Sequence, residues 1–470
     1  MVSKCLTYLA TLIALCLTKP ASALSVEEAI LYVLEANPEI SAAAANKQAI
    51  EFELDQARTF RVPRFSLEAE TGISQNRGTT TPSLPASDDA ITGYGVGARI
   101  TQNLFDGFST RSEIERQAYR VDGAALRVLE RSEFLSLEAV RVYAEVLRNR
   151  ALVRLAEQNL AYHRDILQRI ERAFENGVVG ISDLQQIEER VFLAEDTLAV
   201  FRLDTAEAEA LFQEVIGVDA KGLGQVPRIS GAVPSTLDAA LGVARRTNPT
   251  ILFLQADVGS AEALSRKTDG NRYPTLDLEA FARYGEDLDG FEGTVEDYGI
   301  GLFLRYEIQG SQNRALRQEQ VRRVNEARSN LLTQVRLVER EVRQSWANRN
   351  AAARRVNLLD RQVALSRDVL ASYEEEFQIG ARSLLDVLNT QISLFETQIN
   401  QANLTSLKDF IDYRILASMG VLLPTLGIEP PEDAAVYAKD QRGAPEIGAA
   451  PTAEAIDSQS FREWRKSLEQ

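Results

Sequence analysis

Apolar and polar positions change period several times along this chain, and they do so in the same order twice. Over 109–175 and again over 312–378 apolar residues recur every three or four positions, which predicts two very long helices. In the first, Val153, Ala156, Leu160, His163, Leu167, Ile170 and Phe174 form a heptad-like stripe. In the second, the same stripe reads Val356, Leu359, Val363, Ser366, Leu370, Tyr373 and Phe377. Leu152, Leu155, Tyr162 and Ile166 form another stripe beside the first. A helix with two seams packs against two neighbours, so such helices can close into a ring, whereas a two-stranded coiled coil needs one seam. At about 1.5 Å per residue each long helix reaches about 100 Å. Shorter helices are predicted over 26–60, 182–216, 237–271 and 384–419. Within each copy the two shorter helices, end to end, match the long one in length, as a tall cylinder of helices requires.

Between the first short helix and the long one, the period drops to two. Phe65, Leu67, Ala69 and Ile73 fall on one face, and Ser66, Glu68 and Glu70 on the other. Tyr298, Ile300, Leu302, Leu304 and Tyr306 repeat the pattern. Strands are predicted near 63–75, 92–105, 274–284 and 296–308. Alternation sustained over about ten residues is the pattern of a membrane barrel strand, with lipid outside and water inside. A solvent-exposed edge hairpin is the alternative. The polar linkers 76–90 and 285–295 suit extracellular loops. Four strands cannot close a barrel, but two or three chains, giving about eight or twelve strands, can. The protein is therefore expected to oligomerise.

The repetition extends to individual residues. Asn37-Pro38 recurs as Asn248-Pro249, Leu67-Glu68-Ala69 as Leu278-Glu279-Ala280, and Tyr94-Gly95-Val96-Gly97 as Tyr298-Gly299-Ile300-Gly301. A long ungapped stretch then aligns Arg164-Asp165 with Arg367-Asp368, Phe174 with Phe377, Gly177 with Gly380, Asp183 with Asp386, and Gly217 with Gly420.

The extreme N-terminus reads as a secretory signal. Lys4 precedes the apolar run Leu6 to Leu17, and Ala21-Ser22-Ala23 is a small-residue cleavage site, so the mature chain is expected to begin, unlipidated, at Leu24. Cys5 and Cys16 both lie in that segment, leaving no thiol for a disulfide or thiolate metal site. Net charge is -16, which argues against nucleic acid as a partner. The single histidine, His163, falls on a packing stripe, and no nucleophile triad, metal cluster or phosphate loop is present, so no catalytic residue, metal ligand or cofactor is assigned. The expected organisation is a signal peptide over 1–23, a first structural repeat over 24–217, an equatorial segment over 218–235, a second repeat over 236–420, another equatorial segment over 421–436, and a disordered tail over 437–470.

The two helix turns carry chemistry. They read Phe174-Glu175-Asn176-Gly177-Val178-Val179-Gly180-Ile181-Ser182-Asp183 and Phe377-Gln378-Ile379-Gly380-Ala381-Arg382-Ser383-Leu384-Leu385-Asp386. Gly177 and Gly380 suit left-handed helix C-caps. Ser182 with Gln185, and Ser383 with Asp386, suit capping boxes. Asp183 and Asp386 then need be no more than first-turn acids favoured by the helix dipole.

Both turns also resemble the periplasmic tip turns of the TolC-type outer membrane factor family, and the resemblance runs from Leu24 to about Pro424. Asn103-Leu104-Phe105-Asp106-Gly107 resembles the family's strand-to-helix junction, from which the second copy, Ile308-Gln309-Gly310, departs. The resemblance implies an α+β membrane protein with a long α-helical barrel and a transmembrane β-barrel to which each chain gives four strands. It implies a homotrimer in outer-membrane lipid that meets a periplasmic adaptor protein and an inner-membrane ABC or proton-driven pump, for type I secretion or efflux of small toxic compounds. A family gate of Asp, Tyr and Arg maps onto Asp183, Phe377 and Arg382, with Phe377 lacking the hydroxyl. Of two acidic constriction rings, Asp386 matches one and Asn389 replaces the other. Gly177, Val178, Val179, Gly180, Ser182, Gly380, Ala381 and Ser383 would form the tip turns and the adaptor-docking surface. A periplasmic adaptor, with one helical hairpin, and a soluble coiled-coil scaffold are the competing readings; the two full repeats with barrel strands argue against the first, and the amphipathic strands and signal segment against the second.

Overall fold

The computed structural model describes residues 23–75, 89–288, 292–308 and 310–438. The signal segment, apart from Ala23, residues 76–88 of the first polar linker and residues 289–291 of the second lie outside the described residues. Packing divides the chain into two units, each drawing on both sequence copies.

One unit comprises the described residues up to Ala42, Leu129–Pro249 and Arg336–Glu432. It holds α1 (Val26–Ala36), the lower part of α3 (Ser109–Glu175), α4 (Ile181–Ile216), α5 (Leu237–Thr247), the distal part of α7 (Gly310–Gln378), α8 (Leu384–Met419) and the short α9 (Leu422–Thr425). Residues of both stripes on α3 enter clusters that α4 and α8 share. Ala156 and Leu160 cluster with Val191, Ala194 and Leu198 of α4 and with Phe395 of α8. Nearer the turn, Ile166 and Ile170 pack with Ile187, Leu384 and Leu388. Val363 and Leu370 of α7 pack on Val387 and Leu394 of α8. His163 sits in the stripe at 2 % exposure; burial, and then the nearby Arg190 charge, push its imidazole down to about 4, so it packs as a neutral ring.

The segment that joins the copies is tied down from three sides. Leu24 forms a parallel bridge with Leu223, and the Tyr143 hydroxyl lies 2.6 Å from the Leu24 carbonyl and 2.9 Å from that of Gly224. Tyr413 donates to the Pro227 carbonyl at 2.9 Å. On the other side Glu133, buried on α3, accepts the backbone N–H groups of Leu422 and Leu423 at 3.1 and 3.2 Å.

The helices predicted over 26–60 and 237–271 are each broken at an Asn-Pro step. α1 stops at Ala36 and α2 (Pro38–Thr59) begins at the proline; α5 stops at Thr247 and α6 (Pro249–Asp269) begins likewise. Asn37 and Asn248 are extended, with ψ of 125° and 119°. Proline's ring excludes the helical conformation from the residue before it, while its own fixed φ suits a first helical position. Asn37 mends the break: its side chain accepts the Glu39 N–H at 2.9 Å.

The other unit comprises the described residues of Ala43–Val128 and Thr250–Val335, with Asp433 to Ala438. Its core joins Leu54 and Ala57 of α2 to Ile114, Ala118 and Val121 of α3, with Ala438 beneath. Of the tail predicted as disordered, 439–470 lie outside the described residues, but Tyr437 and Ala438 are held. Tyr437 donates to Glu51 at 2.7 Å, and the Ala438 N–H to buried Asp122 at 2.9 Å.

This unit also carries β1 (Arg64–Ser74), β2 (Ile91–Phe105), β3 (Thr275–Glu286) and β4 (Thr294–Arg305), in antiparallel order β1-β2-β3-β4. The register stacks Phe65, Ile100, Ala280 and Ile300 across one face, with Leu67, Ala98, Ala282 and Tyr298 as the next row. This face is bare: Leu67, Ile300 and Tyr298 are 74, 74 and 82 % exposed. The opposite face is a charged lattice, in which Arg99 and Arg305 reach Glu279 at 2.9 and 2.8 Å and Arg283 reaches Glu70 at 2.5 Å. No helix among the described residues is long and apolar enough to cross a membrane.

At the junction of β2 with α3, Asn103 donates to Asp277 at 2.8 Å and Asp106 caps α3 by accepting the Thr110 N–H at 2.7 Å. Gly107 adopts φ +66°, and a Cβ there would lie 2.4 Å from the Gly270 carbonyl oxygen, so only glycine passes.

Candidate functional site

The candidate site is the pair of turns linking α3 to α4 and α7 to α8. Both helices end in the same way. Gly177 takes φ +70° while Val178 N–H bonds to the Ala173 carbonyl and Gly177 N–H to that of Phe174. Gly380 takes φ +78° with Ala381 bonded to Glu376 and Gly380 to Phe377. These are Schellman closures, which satisfy carbonyls a helix end leaves orphaned. Val178, Ile181 and Ile379 stand exposed around them.

The two following helices start differently. Ser383 is the N-cap of α8: its hydroxyl oxygen accepts the Asp386 N–H at 3.2 Å and its O–H donates to the Asp386 carboxylate at 2.8 Å. The capping box predicted for Ser182 with Gln185 does not form. α4 begins one residue earlier, at Ile181, so Gly180 holds the N-cap position and Ser182 lies inside the first turn. Asp183 is half-buried in that turn and forms no ion pair among the described residues of a single chain.

Arg382 is instead held by its own hairpin. Its guanidinium bonds to Glu376 at 2.8 and 2.7 Å and lies 4.0 Å from the centre of the Tyr373 ring. The Glu376 hydrogen bond pushes the Arg382 pKa further up. Phe377 packs between two clusters together with Tyr162, whose hydroxyl donates to Glu374 at 2.6 Å. Burial, then the Glu374 bond, push that phenol well above its ordinary value. Asp386 and Asn389 share one groove of about 390 Å³ with Leu365, Val369 and Tyr373.

Tyr162 and Tyr373 were legible only as stripe residues, and Glu374 and Glu376 carried no assignment. A signal for the acids did exist. Glu374-Glu375-Glu376 ends α7 with no basic residue in its last turn, where a helix dipole repels carboxylates. Such acids need a cation, and Arg382 follows directly after the turn.

The sequence profile of outer membrane efflux proteins matches residues 30–218 and 240–420. The chain belongs to that family. This outer membrane efflux protein is thus a protein of the outer membrane. It is 27 % identical over 322 residues to outer membrane efflux protein BepC of Brucella suis, covering 67 % of this chain and 69 % of that one. It is 24 % identical over 410 residues to outer membrane protein TolC of Escherichia coli, covering 81 % and 80 %. The outer membrane protein VceC of Vibrio cholerae has the same fold, with a TM-score of 0.73 at 16 % identity over 84 % of this chain and 96 % of that one.

Proposed function

We propose that this efflux protein is one protomer of a homotrimeric exit duct, unlipidated and beginning at Leu24 after removal of the signal segment; the duct conducts its cargo and catalyses no reaction. The observation that carries the reading is the sheet. One face is bare aliphatic and aromatic surface and the other is ion-paired, and β1 and β4 leave open edges that hydrocarbon does not tolerate. Three copies supply about twelve strands, enough to close the edges and leave the charged lattice lining an aqueous lumen. The α3–α4 and α7–α8 hairpins then form the periplasmic part of the same ring, with equatorial segments 218–235 and 421–436 beside it.

In this reading the turn residues Gly177, Val178, Val179, Gly180, Ser182, Gly380, Ala381 and Ser383 meet a periplasmic adaptor, which joins the duct to an inner-membrane ABC or proton-driven pump. Asp183, Arg382 and Phe377 belong to the entrance, and Asp386 with Asn389 to its narrowest ring. The identity of TolC and BepC as outer membrane proteins supports this. Native mass spectrometry in detergent tests it together with planar-bilayer recording. A trimer that conducts ions is expected; a stable monomer or dimer, or a silent trimer, refutes it.

A further inference from the structure

The bare face of the sheet does not stop where the strands stop. β2 and β3 keep one register from Tyr94–Glu286 to Asn103–Asp277 and then slip, so that Phe105 rather than Leu104 pairs with Leu276. Such a bulge sets two successive residues of one strand against one of the other and re-aims a side chain. Leu276 shares the bare face with Leu278 and Ala280, and the slip brings Phe105 onto it. Phe105 is the hub of an edge-on aromatic triad: its ring centre lies 5.5 Å from that of Phe108 and 6.4 Å from that of Tyr273. Phe108 and Tyr273 are 57 and 52 % exposed. Phe108 also holds φ +67°, a left-handed backbone that bulky residues avoid, and strain of that kind collects at sites of function. Phe108 and Tyr273 wall a cavity of about 420 Å³ whose charged lining is Arg111, Glu115, Arg266 and Asp269. Glu115 and Arg266 pair with one another at 2.9 Å. Arg111 is exposed, and its guanidinium forms no ion pair among the described residues. Asp269 Oδ1 is buried and accepts no hydrogen bond, with Arg317 at 3.5 Å. A free cation and an underused carboxylate thus stand in one cavity, walled by rings that continue the apolar surface.

We propose that this cavity seats the headgroup of a phospholipid that carries both a phosphate and a primary ammonium. The phosphate meets Arg111, the ammonium meets Asp269, and the acyl chains run over Phe105 onto the bare face. A guanidinium matches phosphate through paired N–H donors. Aromatic rings suit the boundary, with one part in hydrocarbon and another in water. A lipid with a net negative headgroup satisfies Arg111 but sets a second negative charge against Asp269, whereas a zwitterion answers both. Free phosphate gains nothing from the triad. The inference rests on the reading of the bare face as lipid-facing and adds which lipid the junction below it selects.

The test is native mass spectrometry of the full exported chain, delipidated in detergent and titrated with single phospholipids. Phosphatidylethanolamine should bind about tenfold more tightly than phosphatidylcholine, whose quaternary ammonium cannot donate to a carboxylate, and than phosphatidylglycerol, which has no cation. Arg111→Gln and Asp269→Asn should each weaken phosphatidylethanolamine binding about tenfold, the loss expected for one charge-assisted hydrogen bond. Arg228→Gln, in the other unit, should change nothing. Inorganic phosphate should not displace the lipid. Equal binding of the three lipids, no loss in either cavity variant, or displacement by phosphate overturns the headgroup site and leaves the duct intact. Should a variant not assemble, the wild type's choice among the three lipids decides. A chain that stays monodisperse once detergent is removed refutes the lipid-facing sheet itself, and this site with it.

Discussion

Glu133 is expected to make the packing of α9 on α3 weaken as pH rises. It is 3 % exposed, and both its oxygens are used, accepting the N–H groups that open α9. Burial penalises the carboxylate more than these two bonds favour it, and the group is pushed up from 4.5 to about 7. The folded state therefore holds a proton that the unfolded segment releases. The stability linked to Glu133 is fully present below about 4.5 and is lost as pH climbs to about 7, above which it is flat. The gap corresponds to about 3 kcal/mol, since one pH unit of differential binding is worth about 1.4 kcal/mol. Hydrogen exchange at Leu422 and Leu423, corrected for intrinsic rates, reads this directly: opening should become about a hundredfold more favourable between pH 4.5 and 7. Glu133→Gln should abolish the slope. It should also cost about 1–3 kcal/mol at low pH, because an amide cannot accept both N–H groups. An unchanged slope in Glu133→Gln, or protection that grows toward pH 7, refutes the argument.

Four further outcomes are expected. Arg382→Ala, which removes the contacts to Glu376 and Tyr373, should raise single-channel conductance; unchanged conductance in a folded trimer means Arg382 only stabilises its turn. Multivalent hard cations should partly block the current through Asp386, less so in Asp386→Ala and more so in Asn389→Asp, and identical titration of all three forms removes Asp386 from the lumen. Gly420→Ala should cost about 2–4 kcal/mol, because φ is +72° and a Cβ would lie 2.4 Å from Pro249 Cδ, whereas the equivalent Gly217→Ala, which meets nothing within 4 Å, should cost about 1–2; equal shifts in denaturant midpoint would contradict the packing. Mass spectrometry of the exported protein should find Leu24 as its N-terminus, and an acylated Cys16 would overturn the signal-peptide assignment.

Long-range periodicity made the helices and strands readable. α3 occupies 109–175 as its stripes predict, and α4 starts one residue before expectation, because a stripe of buried residues fixes a helix far better than its ends. The Asn-Pro breaks were visible as residues but not as breaks, since the apolar pattern continues through them on both sides. At the turns, glycine positions followed from backbone chemistry alone. Which residues of its own hairpin Arg382 meets did not, because it depends on how the chain rotates between Gly380 and Ser383, and that rotation places the guanidinium against Tyr373 and Glu376. Tyr162 and Glu374 meet between helices that are adjacent only in the fold, a pairing no local spacing announces.

The sheet also sets a timetable. β1 with β2 and β3 with β4 are local hairpins, but β2 pairs with β3 across nearly the whole of the first copy, as the Arg99–Glu279 bond shows. Leu24 likewise waits for Leu223. A chain entering the periplasm N-terminus first therefore exposes a bare apolar hairpin long before the strand that covers its edge arrives. Closing so long a loop is slow, and an unpaired apolar edge recruits other chains meanwhile. Each apolar hairpin must therefore stay unaggregated until its partner strand arrives, and the yield of assembled protein should fall as the concentration of folding chains rises.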